Sequence, residues 1–135
     1  MFEKTELKEI NRAVLAGLNS PALSQGQNGC DASLDELAAL LDTAGGLGLG
    51  TVLQNRAAPD PRTFIGEGKV TEIKELVKVT EATTVIFDND LSPSQMRVLT
   101  EELGVQVLDR SALILDIFAQ RARTREGRLQ VELAQ

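Results

Sequence analysis

The sequence predicts an α/β fold, a small doubly wound and mostly parallel four-stranded sheet with helices on both faces. Three observations carry that expectation. Short apolar runs alternate with stretches of helical periodicity in the order β-α-β-α-β-α-β-α. The runs are apolar throughout, as strands covered on both faces are. The connections are short, so right-handed crossovers close the chain into one sheet between two helical layers. A chain of 135 residues suits one domain and can bury a core without a disulfide or metal.

Ala13 to Leu18 (AVLAGL) is the first strand, and the Pro, Ser, Gln, Asn and Gly of Ser20 to Asp31 make a loop. Ser33 and Glu36 form a capping box ahead of Leu34, Leu37, Ala38 and Leu41, which recur at helical spacing. The glycines from Gly45 to Gly50 end that helix and admit a second strand, Thr51 to Asn55. After Pro59 and Pro61, a helix from about Lys69 to Val79 places Val70, Ile73, Leu76 and Val77 on one face. Thr83 to Phe87 is β-branched and apolar, a strand. Ser92 and Gln95 form a second capping box around Pro93, and Gly104 stops that helix after Leu103. Val105 to Leu108 is the fourth strand. Ser111 then opens a helix to about Arg123 that buries Leu113, Ile114, Ile117 and Phe118. Beyond it, Leu129, Val131 and Leu133 alternate like a strand, yet Leu129 and Leu133 also share a helix face. The pattern is still running at Gln135, which suggests truncation.

Composition narrows the chemistry. Without His there is no Ser-His-Asp triad, no Cys-His pair and no common zinc site, and neither a catalytic nor a metal-binding residue is expected. Without Trp or Tyr, base stacking on aromatic platforms is not expected either. The single Cys30 cannot form an internal disulfide and reads as a surface thiol with no base to activate it. The charged start MFEKTELKEI lacks a signal-peptide apolar region, and no run approaches a membrane span, so a cytoplasmic protein with no membrane partner is expected.

Three places could bind a partner, and a fourth pairs within its own loop. A phosphate loop needs a Gly five residues before a Gly-Lys pair; Gly68-Lys69 has Thr63 there and Val70 after it, so the motif is absent. Gly66, Gly68 and Lys69 could still hold an anion at a helix start, although a tight turn is the commoner use of such a run. Asp88, Asn89 and Asp90 follow the third strand at the edge where doubly wound sheets bind ligands, with capping of the next helix as the plainer role. Asp60 and Arg62 could pair to fix their loop. Arg121, Arg123, Arg125 and Arg128 stand against Glu126 alone, a cluster suited to phosphate but also to a solvated face or helix end.

The segments DPRTFIGEGKVTEIKELV (Asp60–Val77), VIFDNDLSPSQMRVL (Val85–Leu99) and VLDRSALILDIFAQRARTREGRLQVELAQ (Val107–Gln135) resemble the N-terminal domain of the HflX family of GTPases. Val98, Ser111 and Arg128 depart from the usual Asn, Thr and Lys, and the first 45 residues carry no such match. The resemblance implies a cytoplasmic GTPase that associates with the large ribosomal subunit and its rRNA and helps dissociate ribosomes. It implies an N-terminal α/β domain over residues 1–125 and, from 126 to 135, the beginning of a helical linker toward a G domain outside this chain. GTP and Mg²⁺ are expected in that G domain, and no cofactor in this chain. Under it, Arg121, Arg123, Arg125 and Arg128 contact RNA or the neighbouring domain, and Arg62, Gly66, Gly68 and Lys69 form a second stretch matching the family pattern. Two rival readings stand beside it. The domain could bind nucleotide itself through Gly66–Lys69 and Asp88/Asp90, or serve only as a docking scaffold for its own G domain.

Overall fold

A computed structural model describes residues 12–23 and 28–119. Their elements are β1 (Arg12–Asn19), α1 (Asp31–Thr43), β2 (Leu47–Asn55), α2 (Glu67–Thr80), β3 (Thr84–Phe87), α3 (Pro93–Leu103) and β4 (Gln106–Asp109). A last helix, α4, is described over residues 110–119. The strands lie in the order β2-β1-β3-β4 and every pair is parallel. This is the α/β fold that the alternation of elements predicts.

Because successive side chains of a strand face opposite ways, β1 feeds two cores. Val14, Ala16 and Leu18 join Val85, Phe87 and Val107 beneath α2 and α3, which contribute Val70, Ile73, Val77, Leu99 and Leu103. Ala13 and Leu15 join Ile86 and Leu108 beneath α1 and α4, which contribute Leu34, Leu37, Leu41, Leu113 and Ile117. The sheet is therefore covered on both faces, and its strands can be apolar throughout.

Two boundaries and one buried position differ from the sequence reading. The box at α1 sits three residues earlier: Cys30 is the N-cap, its Sγ accepting from the Ser33 N–H at 3.4 Å while Ser33 Oγ accepts from the Cys30 N–H at 2.8 Å. Strand β2 starts at Leu47, so Gly48 and Gly50 lie inside it. The parallel ladder to β1 outweighs glycine's turn tendency, with a register shift between Ala13 and Val14. At Gly50 an added Cβ would come within 3.1 Å of Leu76 Cδ2, so the bare backbone lets α2 pack close. On α4, Leu113 and Ile117 are buried but Phe118 is 60% exposed. Phe118 lies about 100° beyond Ile117 and about 140° from Leu113 around the helix, outside the buried stripe.

The box at α3 is as expected. Ser92 Oγ accepts from the Gln95 N–H, Gln95 Oε1 accepts from the Ser92 N–H, and Pro93 opens the helix. Gly104 closes it in the left-handed region, φ 73°, where a residue without Cβ is unstrained. The expected boundary near residue 125 and the linker over 126–135 lie outside the described residues.

Candidate functional site

The chain steps from β1 outward to β2, then crosses back to β3 on the other side of β1. Such a reversal opens a crevice at the carboxyl ends of the two inner strands, where open α/β sheets bind ligands. Here a cleft of about 330 Å³ lies there, between the start of α1, the segment after β3 and the start of α4.

Its floor is a network of the protein's own polar groups. Asp88, directly after β3, accepts from Arg110 Nε at 2.9 Å and Nη2 at 2.5 Å through Oδ1. Its Oδ2 accepts from the Ser33 hydroxyl at 2.5 Å. Arg110 Nη2 also donates to the Ser33 carbonyl at 2.8 Å, and Nη1 lies 3.7 Å from Glu36. Asn89 bridges the end of β1, accepting from the Leu18 N–H at 2.8 Å and donating to the Leu18 carbonyl at 2.9 Å. Asp90 accepts from Ser111 Oγ at 2.8 Å. Asp109 accepts from the Leu91 and Ala112 N–H groups, which makes it the group that starts α4 in place of Ser111.

Asp88, Asn89 and Asp90 thus do not cap α3, which Ser92 and Gln95 cap on their own. They tie three loops together across the crevice instead. Sequence does not single out Arg110, and it reads Ser33 only as a helix cap, because their crevice partners lie 22 to 77 residues away. The one available signal is position: Arg110 directly follows β4, as Asp88 follows β3, so a parallel sheet brings both to the same edge.

Cys30 lies exposed at the mouth of this cleft. Its thiol is held below the usual thiol range by the side-chain hydrogen bond of Ser33 and then by the Ser33 backbone N–H. It serves as the cap of α1.

The second stretch lies at the start of α2. Gly66 is the N-cap, and its N–H donates to Gln54 Oε1 at 2.9 Å. A Cβ at Gly66 would lie 2.5 Å from Arg56 Nη1 and 3.1 Å from Gln54 Nε2, so the side chains at and just after the end of β2 pack directly on this backbone. Lys69 pairs with Glu72 at 3.1 Å, and Gly68 faces open space. Arg62 pairs with Glu102 of α3 at 2.9 Å rather than with Asp60. The Asp60 carboxylate accepts from the Arg62 and Thr63 N–H groups, and the Thr63 bond is the larger cause holding its carboxyl below the usual carboxylate range. Between Asp60 and Phe64 two backbone hydrogen bonds close the loop, with Phe64 at φ 68° and its ring edge-on to Phe87 at 6.5 Å. Arg62 and the start of α2 therefore flank one groove, but each cation there has a carboxylate partner.

Arg121, Arg123, Arg125 and Arg128 lie outside the described residues. Among the described residues no group of three Asp, Glu or Cys could hold a metal ion, and no helix is long and apolar enough to cross a membrane.

Comparisons with known proteins give one consistent answer. A family model described as the N-terminal part of GTP-binding GTPases matches residues 31–119. GTPase HflX of Lacrimispora saccharolytica is 46% identical over 135 residues, all of this chain and 31% of that protein. GTPase HflX of Escherichia coli is 54% identical over 102 residues, 76% of this chain and 24% of that protein. Among solved structures, SsGBP in complex with GDP superposes with a TM-score of 0.62 at 25% identity, over 91% of this chain and 33% of that one. The chain spans about a third or less of the length of these relatives.

Proposed function

The chain belongs to the GTP-binding GTPase N-terminal family, and from that premise we propose that it binds and positions an HflX-type GTPase on the large ribosomal subunit. In the full-length protein it would help dissociate ribosomes, with GTP and Mg²⁺ held by the part of the relatives that this chain does not span. A cytoplasmic location fits that work.

The observation that carries the reading is the match to the N-terminal part of proteins named GTPases by a chain without a phosphate loop. GTP and Mg²⁺ do not fit the residues here. In the switch-point crevice Asp88 and Arg110 already satisfy each other, and at α2 the Gly66 N–H is occupied by Gln54. No step of nucleotide chemistry is assigned to this chain. That favours a binding module over a nucleotide-binding domain in its own right.

Four arginines between residues 121 and 128 are the proposed RNA or interdomain contact, since a guanidinium meets a phosphate bidentately at little desolvation cost. Of the stretch Arg62, Gly66, Gly68 and Lys69, the Gly66 N–H is taken by Gln54, so the proposed second anion contact rests on Arg62, Lys69 and the start of α2 at Gly68, with a phosphate replacing Glu102 and Glu72 as the partner of the two cations. The acidic remainder, net charge −6 overall, confines attraction to such patches. Co-sedimentation with purified large subunits tests the reading: the chain should pellet with them at low salt, and reversing all four arginines to Glu should release it. Retention of the reversed variant would remove those residues from the contact. Equilibrium titration with GTP, with and without Mg²⁺, is expected to give no saturable binding, and saturation would favour the rival nucleotide site.

A further inference from the structure

The Asp60–Phe64 loop carries Arg62 and is held in a conformation that its surroundings enforce. Phe64 sits at φ 68°, a left-handed backbone that costs free energy in a residue with a Cβ. Within the loop, Asp60 Oδ1 accepts from the Arg62 and Thr63 N–H groups, and Asp60 and Phe64 exchange two backbone hydrogen bonds. These bonds set the loop's shape, and the buried Phe64 ring fixes its far end against Phe87. At its near end the backbone is tied to the start of α3 by Gln95, whose Nε2 donates to the Asp60 carbonyl at 3.2 Å and reaches the Pro61 carbonyl at 3.4 Å. The same carboxamide closes the capping box of α3, its Oε1 accepting from the Ser92 N–H at 3.0 Å. The cap needs an acceptor and the loop needs a donor, a pair of demands that an amide meets and a carboxylate does not. Glu completes a capping box as Gln does, so the cap alone does not explain the amide. Nor does the Arg62–Glu102 pair seat the loop: its side chains are 57% and 43% exposed, and such pairs contribute little.

We propose that Gln95 is the positioning residue of the Arg62 contact. Through its amide N–H it keeps the strained loop seated on α3, so that Arg62 stands over the groove it shares with the start of α2, ready for an RNA phosphate. The inference rests on the reading of Arg62 as an anion contact, and adds the residue that presents it. A guanidinium on a seated loop loses less freedom on meeting its phosphate than one on a loose loop, which raises affinity without a new contact.

The test compares the chain with its Gln95→Ala and Gln95→Glu variants, by amide hydrogen exchange and by binding to purified large ribosomal subunits at low salt. In Gln95→Glu the amides of α3 should stay as protected as in the wild type, because the capping box is complete. Those of Asp60 and Phe64 should exchange several-fold faster, because the donor to the loop is gone. Gln95→Ala should loosen both. Affinity for the subunits should fall on the order of fivefold in Gln95→Glu, the loss of about one hydrogen bond. In a chain that already carries Arg62→Gln, Gln95→Glu should cost nothing more. Unchanged exchange at Asp60 and Phe64 in Gln95→Glu would overturn the proposal, since Gln95 would then be a cap alone. So would losses that simply add, which would separate Gln95 from Arg62. Failure of the wild-type chain to bind subunits would strike the ribosome reading instead, and the exchange comparison then decides by itself whether Gln95 holds the loop.

Discussion

Asp88 shows how one side chain can hold a loop cluster. Its carboxylate is almost fully buried and faces Arg110, a quarter exposed, and Ser33. Removing it strands a half-buried guanidinium, and breaking a buried pair typically costs about 3 kcal/mol or more. Asp88→Ala should therefore lower the urea-unfolding free energy by about 3 kcal/mol, and a loss under about 1 kcal/mol would show that Glu36 alone suffices for Arg110. Cys30 gives a second prediction. Because Ser33 holds the thiol below its ordinary range, Ser33→Ala should move the pH midpoint of iodoacetamide labelling upward. An unchanged midpoint would contradict that cause. Asp60 gives a third, with the opposite proton logic to a raised group. Its folded pKa lies below its unfolded one, so its contribution is present above about pH 4 and fades as pH falls through the folded value. Melting temperatures measured between about pH 5 and 2 should fall less steeply in Asp60→Ala than in the wild type.

The elements explain what could be read early and what could not. The box at α3 and the stop at Gly104 are interactions within three or four residues, so their residue types announce them. Gly104→Ala should cost about 1 kcal/mol because alanine resists the left-handed region. The α1 cap was displaced because a thiol is a weak acceptor and Ser33 looks like the stronger candidate; the hydroxyl was needed at the third helical position to reach Asp88. The start of β2 was hidden because Gly48 and Gly50 signal a turn locally, while the ladder to β1 is decided by residues some 35 positions away. The loop before α2 was legible only as a break. Its Phe64 adopts a conformation rare for an aromatic residue, stabilised by the Asp60 bridge and the edge contact with Phe87. Of the crevice network only the place of Asp88, Asn89 and Asp90 at the sheet edge was legible, since all its bonds but the Asp109 cap of Ala112 join separate elements.

At the scale of the whole molecule, the fold supplies a rigid two-core sheet whose usual ligand edge is occupied by its own side chains. Function then moves to its surfaces, foremost an arginine cluster proposed to meet phosphate. The most direct measurement is the salt dependence of binding between this chain and large ribosomal subunits. Phosphate contacts release counterions, so four arginine contacts predict a slope of log affinity against log salt of roughly −3 to −4. Reversal of Arg121, Arg123, Arg125 and Arg128 should abolish most of that slope. A slope near zero, or no binding even at low salt, would contradict the account and leave the domain a scaffold for the rest of the GTPase.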